Sequence, residues 1–249
     1  MIKFFRHIRQ RLIIENRVSK YLLYAIGEIV LVVIGILIAL QINNWNDQKK
    51  ELKTVTVLAK SLTEDLNKDV EFLQNALVFS KQKINSCDTL LDLLSVPQEN
   101  WDVEGIYHSL NIAGQSNPFF PTTGTYQQIV TSGSLKLFDQ SIANQLNGYD
   151  MQLQKLYYWT DAEDKTLWLI ADIAWKGMSM QAIADLRFNN AQKNELIMNI
   201  PASSVTEFIN LTSAIKTYRS KVEVEYEQHL YLAERLIESL NETYDLNQK

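Results

Sequence analysis

Hydrophobic residues follow two different patterns along this chain, and the change of pattern lies near residue 42. From Tyr21 to Ile42 nearly every position is apolar; only Glu28 is charged, and only Gln41 carries an amide. A helix of this length rises about 33 Å, which is enough to cross a hydrocarbon core of about 30 Å. The pattern therefore predicts a transmembrane helix over residues 21–42, with Trp45 at one membrane interface.

Two other kinds of segment share this apolar character. One is a buried core helix, and the other is a cleaved signal peptide. The apolar run is longer than a signal-peptide core, and no small-residue cleavage site follows it. We therefore expect the segment to be retained as a membrane anchor.

Beyond residue 46, apolar residues recur every three or four positions, as they do in amphipathic helices. Two such stretches are long: residues 49–95, closed by Pro97, and residues 204–244, which open on a capping-box pattern. Their similar length predicts antiparallel pairing. Because no Gly or Pro lies between Gly35 and Pro97, the transmembrane helix is expected to continue into the first stretch as a stalk.

Shorter elements are predicted between the two long helices. Val103 to Ala113 forms a helix ended by Gly114, and Thr125 to Thr131 forms another, followed by a left-handed Gly133. Asp139 has the side chain to cap a further helix that runs towards residue 175. The fold class is all-α: an N-terminal amphipathic helix, one transmembrane helix continuing into a stalk, and an antiparallel helical bundle over residues 46–249.

Charge is distributed unevenly and predicts the orientation. Residues 1–20 contain six basic residues and one acidic residue, whereas the rest of the chain has ten more acidic than basic residues. The positive-inside rule places residues 1–20 in the cytoplasm as a basic juxtamembrane helix, or as a basic flank without order of its own. The bundle then lies outside the cytoplasmic membrane, in the periplasm of a Gram-negative cell. The bilayer is the expected partner, and the acidic bundle disfavours nucleic acid.

Small residues and one carboxylate mark a face of the predicted membrane helix. Gly27, Gly35 and Ala39 are spaced so that another helix can approach closely, and Glu28 borders the same stripe. A carboxylate in this position indicates a helix interface or a functional site, although it also lies close enough to the inner interface to reach headgroups. We interpret the four residues as a face for lateral association.

Aromatic residues mark two further candidate surfaces. Phe119 and Phe120 lie in the loop between Gly114 and Gly124, where they plug the end of the domain or form a partner-binding tip. A cluster between Tyr149 and Trp175 belongs to a wide core or lines a binding groove.

The N-terminal residues resemble a family signature. MIKFFRHIRQRL, followed by KYLLYAIGEIVLVVIGILIALQINNWND, is similar to the start of a family of small membrane proteins of unknown function from Bacteroidota, chiefly flavobacteria. Residues 120–126 and 131–135 match the middle of that family more loosely. The resemblance implies a single-pass protein with a helical outer domain, and it brings no activity, cofactor or catalytic residue.

Residues that carry common enzyme or metal chemistry are scattered. The three histidines lie in different predicted elements, and the sequence contains no HExxH, CxxC, GxSxG, Walker or GxGxxG motif. Asp161, Glu163 and Asp164 form an acidic cluster that we interpret as an exposed helix start. Cys87 falls on an apolar stripe, as a small buried hydrophobe or as an intermolecular disulfide partner. We predict no catalytic, cofactor or metal site.

These patterns favour a non-enzymatic, membrane-anchored scaffold or interaction protein of the cell envelope. Its expected partner is a second copy of itself or another envelope membrane protein. The alternative is a periplasmic helical bundle that senses a ligand and signals through a membrane partner. An envelope hydrolase is the least favoured hypothesis. The sequence leaves the biological role, the partner or ligand and the oligomeric state undetermined.

Overall fold

The computed structural model describes residues 18–188 and 196–246, with side chains over 22–185 and 196–246. The described part is all-helical and has no strand, apart from one isolated bridge between Met178 and Met198. The predicted amphipathic helix before residue 18 lies outside these ranges. The α-helices are α1 Val18–Leu94, α2 Val103–Ala113, α3 Gly124–Thr131, α4 Gln140–Gly177, α5 Met180–Phe188 and α6 Ala202–Tyr244, with 3-10 turns at Gln98–Asn100 and Ser134–Leu137.

The chain divides into two compact units, Met1–Val55 and Thr56–Lys249. In the first unit, the apolar side chains of α1 from Leu22 to Ile42 are exposed. Among the described helices, α1 is the one long and apolar enough to cross a membrane. A polar network begins just after this segment, where Asn43 and Lys50 both donate to the carboxylate of Asp47.

Helix boundaries in the second unit follow local backbone chemistry. The Asp102 carboxylate accepts a hydrogen bond from Gly105 N at the start of α2, and the Asp139 carboxylate accepts from Ser141 N at the start of α4. Gly133 takes the left-handed conformation, with φ 67°, between α3 and the next turn. These three boundaries confirm the predictions from sequence.

The end of α4 is decided by a close approach of two backbones. A Cβ atom added to Gly177 would lie 3.0 Å from the backbone of Ile200, and Asn199 N donates to Gly177 O at 2.6 Å. Only glycine fits this position without displacing its neighbour.

The predicted capping box at residues 204–207 is wrong: α6 begins at Ala202, with Pro201 in the N-cap position. Pro201 has φ −59° and ψ 139°, and no side-chain hydrogen bond caps this helix start.

Buried positions of α1 and α6 are spaced alternately by three and four residues, the spacing of knobs-into-holes packing. Residues of α1 meet α6 in reverse order: Asp88 pairs with Lys216, the Phe79 ring faces Arg219, and Leu73 clusters with Tyr226. The alternating set on α1 is Leu62, Leu66, Asp69, Leu73, Ala76, Ser80, Lys83, Cys87, Leu90 and Leu94, and α1 also buries Val55, Leu58, Ala59 and Ser86. The set on α6 is Phe208, Thr212, Ile215, Arg219, Val222, Tyr226, His229, Ala233, Leu236 and Leu240.

Candidate functional site

A groove of about 450 Å³ opens on the surface of the second unit. Its floor is apolar, formed by Ile170 and Ala174 of α4, which also belong to a buried core cluster. Leu110 of α2 forms one side, and Met180 and Ile183 of α5 form another. The groove therefore exists because two short helices pack on α4 without covering it completely.

One face of α4 supplies the residues that give the groove its chemistry. Asp164, Trp168, Ala171 and Trp175 are spaced by three and four residues, so they lie one above another along the helix. The side chains of Trp168 and Trp175 are 67% and 53% exposed. Their rings meet edge to face, with centroids 6.0 Å apart. Large aromatic side chains left this open are typical of binding surfaces.

The carboxylate in the groove differs from its neighbours on the same helix. Asp161 pairs with Lys165, and Asp172 pairs with Lys176, each one turn along. One turn beyond Asp164 is Trp168, so Asp164 has no such lysine. Its carboxylate accepts a hydrogen bond from Ser116 Oγ at 2.8 Å.

The loop that carries Ser116 also connects to the interior. Lys83 Nζ donates to Gln115 O at 2.5 Å, and the Tyr226 hydroxyl donates to Asn117 O at 3.1 Å. Further along, Thr122 N donates to the Asp69 carboxylate at 2.8 Å. The loop is thus held by α1, α4 and α6 at successive residues.

Beneath this loop lies a buried charge cluster, which we define as Lys83, Glu163 and Arg219. Their side chains are 0%, 1% and 2% exposed. Lys83 Nζ lies 2.7 Å from Glu163 Oε1, and Arg219 contacts both carboxylate oxygens through Nε and Nη2 at 2.9 and 2.5 Å. Burial lowers the pKa of Lys83, and the Glu163 carboxylate opposes that shift.

Hydrogen-bonding capacity in this cluster is not fully used. Arg219 Nη1 and Ser80 Oγ are buried without a hydrogen-bond partner among the described residues. Two basic side chains share one carboxylate, and the Gln115 carbonyl also accepts from Lys83. Burial raises the pKa of Tyr226, and the neighbouring Arg219 opposes the rise.

A second buried polar layer surrounds His229, which is 0% exposed. Its ring stacks on Tyr149 with centroids 4.0 Å apart and meets the edge of Phe119 at 5.4 Å. Neither ring nitrogen has a partner among the described residues, and burial lowers the pKa of His229 to about 4. The Tyr149 hydroxyl instead donates to the buried Asp69 carboxylate at 2.7 Å.

The residues predicted for lateral association all lie on the described part of α1. Gly27, Glu28, Gly35 and Ala39 are exposed, and Glu28, Gly35 and Ala39 recur at helical spacing. A Cβ atom added at Gly27 or Gly35 would meet nothing within 4 Å. This face is therefore open to another helix.

The two phenylalanines predicted as a pair are separated by the fold. Phe119 is 2% exposed and packs beside His229 and Phe72, whereas Phe120 is 77% exposed. Phe119 therefore plugs the domain, and only Phe120 is available at the surface.

The buried charges were missed by reasoning from the sequence. The acidic cluster at 161–164 was expected to be exposed, and this is wrong for Glu163, which faces the core. On α6 the structure buries Arg219 and His229, whereas the neighbouring apolar residues Tyr218 and Leu230 are only half-buried. The signal that finds them is the strict alternation of three and four residues, which continues through the polar positions.

The described residues also bear on metal binding and on thiol chemistry. The described residues contain no group of three or more His, Cys, Asp or Glu side chains that could hold a metal ion. Cys87 is fully buried, and burial raises the pKa of its thiol to about 11. Its place in the fold is that of a small core residue.

Comparison with known proteins identifies a family whose function is not assigned. Residues 28–183 match the model of a family of unknown function, DUF6090. No curated protein and no solved structure matches the chain. The match covers more than half of the sequence, and the chain belongs to this family of unknown function.

Proposed function

We propose that this member of the family is a membrane-anchored, non-enzymatic recognition protein of the cell envelope. Residues 21–42 cross the cytoplasmic membrane, residues 1–20 lie in the cytoplasm, and residues 46–249 form an antiparallel helical bundle in the periplasm. The apolar part of α1, exposed in the described chain, supports the anchor. The basic excess before it and the acidic excess after it support the orientation.

The groove is the observation that carries the recognition role. Its volume, about 450 Å³, lies within the range of small-molecule sites. An apolar floor with a single polar pair, Ser116 and Asp164, is the usual composition of a ligand site. This geometry favours a ligand-sensing bundle, which the sequence had offered as the alternative to a scaffold.

A sensor also needs a route from its ligand to its output. The Ser116 hydroxyl reaches into the groove, and the carbonyl of the preceding Gln115 accepts from Lys83 on α1. A ligand that moves this loop would alter the contact with the helix that holds the proposed anchor. The output would then pass to a membrane partner that contacts the proposed anchor.

Binding of small molecules tests the leading proposal directly. The full chain in neutral maltoside micelles is heated with and without a panel of metabolites, and unfolding is followed by circular dichroism. We expect some ligands to raise the unfolding temperature of the wild type and not of Trp168→Ala. Tyr231→Ala, an exposed aromatic change outside the groove, is the matched control. A panel without any stabilising compound would count against ligand sensing.

Scaffolding remains the second candidate, and a different surface favours it. The open face at Gly27, Glu28, Gly35 and Ala39 offers close helix approach in a membrane, and Phe120 offers an exposed apolar contact. Partners would be a second copy of this chain or another envelope membrane protein.

Crosslinking in membranes tests the scaffold candidate. Gly35→Leu fills the open face and is expected to reduce crosslinked dimers or heteromeric complexes. Val33→Leu is the matched control, because residue 33 lies on the opposite side of the helix. Equal crosslinking in both variants would contradict association through this face.

A further inference from the structure

We propose that the groove binds a small organic cation, namely a quaternary or alkylated ammonium that carries a hydrocarbon body. This inference rests on the ligand-recognition function proposed above and names the class of ligand. It draws on three features of the groove: its tryptophan faces, its unusual carboxylate and its apolar floor.

The tryptophans provide the first feature. Trp168 and Trp175 are both more than half exposed, and their rings are inclined at 66° with centroids 6.0 Å apart. Inclined rings present both an indole face and an indole edge to the same space. The face of an indole carries negative charge density and attracts cations, most strongly where water is partly excluded. Alkylated ammonium ions are the ligands that such aromatic sites select.

Asp164 provides the second feature. Asp161 and Asp172 are already neutralised by lysines one turn along, at 2.6 and 2.5 Å. Among the side chains that the structure describes, the carboxylate of Asp164 accepts from the neutral Ser116 hydroxyl and has no ion-pair partner. This hydrogen bond fixes the carboxylate beside Trp168 while leaving its charge uncompensated. A cation in the groove would supply that compensation.

The rest of the groove sets the shape of the ligand. Leu110, Ile170, Met180 and Ile183 line it with hydrocarbon, and Asp164 is the one charged side chain among the described lining residues. A simple inorganic cation would gain nothing from these surfaces and would lose its hydration. An anion would be repelled by the negative charge of Asp164 and by the negative charge density on the tryptophan faces. An apolar body with a cationic end satisfies both parts.

Isothermal titration of the full chain in neutral maltoside micelles tests this inference. The probes are choline, butyltrimethylammonium and pentanoate, with 3,3-dimethyl-1-butanol as the uncharged isostere of choline. We expect choline to bind at least about tenfold more tightly than its uncharged isostere, the scale of a desolvated cation–π contact. Butyltrimethylammonium should bind more tightly still, and pentanoate should not bind.

Conservative variants separate the charge from the shape. Asp164→Asn keeps an acceptor for Ser116 and is expected to weaken choline binding by about tenfold, with no effect on the isostere. Trp168→Phe retains an aromatic face and should keep the preference for the cation, whereas Trp168→Leu retains apolar volume and should lose it. Asp172→Asn, which removes an exposed acid outside the groove, should bind like the wild type. Circular dichroism confirms that each variant is folded.

Equal affinity for choline and its isostere would overturn the inference. Two results with the variants would do the same: an unchanged affinity for choline in Asp164→Asn, or a loss of choline affinity in Asp172→Asn as large as that in Asp164→Asn. Tighter binding of the peptide acetyl-Leu-Lys-Leu-amide than of choline would also overturn it, because the groove would then suit a partner chain. If only uncharged compounds bind, the cation inference fails while the ligand-recognition proposal stands. If no compound binds in either assay, both fail.

Discussion

The second unit contains two buried polar layers, and each accommodates ionisable side chains in the core in a different way. Around Glu163, two cations converge on one carboxylate, and Lys83 also donates to the Gln115 carbonyl. Around His229, a titratable ring is held between aromatic faces, and neither nitrogen is hydrogen-bonded among the described residues. A charged group can stay in a core only with partners, whereas a histidine can stay by remaining neutral.

The difference has consequences for stability. Removing one partner from the Glu163 layer leaves charge in the core and should be costly at any pH where the bases are ionised. The His229 layer should not lower the free energy of unfolding at neutral pH and should lower it only in acid. Substitutions in and around the two layers test this contrast.

Glu163→Gln removes the only carboxylate that pairs with Lys83 and Arg219 in the buried cluster. Two buried cations then face each other, and we expect the free energy of unfolding to fall by about 3–5 kcal/mol. Denaturant unfolding of the full chain, followed by circular dichroism, measures the change. Asp161→Asn, which breaks an exposed pair, should cost no more than about 0.5 kcal/mol. Similar losses in the two variants would show that the cluster is not a buried ion network.

His229→Leu tests the second layer through pH. The folded pKa is about 4 and the ordinary value is 6.5, so the unfolded state binds more protons between these limits. Stability is therefore fully present above about pH 6.5 and is lost as pH falls towards 4. From pH 7 to pH 5 the wild type should lose about 2 kcal/mol through this residue, and His229→Leu should not.

The control for this measurement is His108→Gln, which changes an exposed histidine. Its pH profile should follow that of the wild type. If His229→Leu loses as much stability in acid as the wild type does, then His229 is not the group responsible.

Asp69→Asn tests the anchoring of the loop beside the His229 layer. Both carboxylate oxygens of Asp69 accept hydrogen bonds, one from Thr122 N and one from Tyr149. An amide offers one oxygen, so one buried donor is left facing an NH₂ group. We expect a loss of about 1–2 kcal/mol in unfolding free energy. Asp172→Asn is the surface control, and an equal loss there would refute the anchoring role.

Cys87 gives the smallest effect, because it concerns reactivity rather than stability. Burial and a thiol pKa of about 11 should make maleimide labelling of the native chain slower by roughly two orders of magnitude than that of an exposed cysteine. Ser213→Cys in a Cys87→Ala background provides the exposed reference. Rapid labelling of Cys87 in the native chain would contradict its buried position and would favour the alternative hypothesis of an intermolecular disulfide.

Much of the secondary structure could be predicted from local signals. The bounds of α2, the left-handed Gly133 and the Asp139 cap all depend on residues within a few positions, and each is confirmed. The start of α6 was misplaced because the capping-box pattern at 204–207 lies inside the helix, which begins at Ala202 after Pro201. The groove was foreseen only as a general aromatic surface, since its walls come from α2, α4 and α5.

By itself the sequence determined the apolar segment, the charge difference across it and the all-helical character, because composition and helical period act along one chain. Only the tertiary structure decided which polar side chains are buried, namely Lys83, Glu163, Arg219 and His229. It also decided that Phe119 is buried while Phe120 is exposed, and that Asp164 accepts a hydrogen bond from Ser116 beside two tryptophans. A polar residue on an apolar stripe goes to the core or to the surface according to the partners that other helices bring. Arg219, for example, lies 56 residues from Glu163 in the chain, beyond the reach of any local pattern.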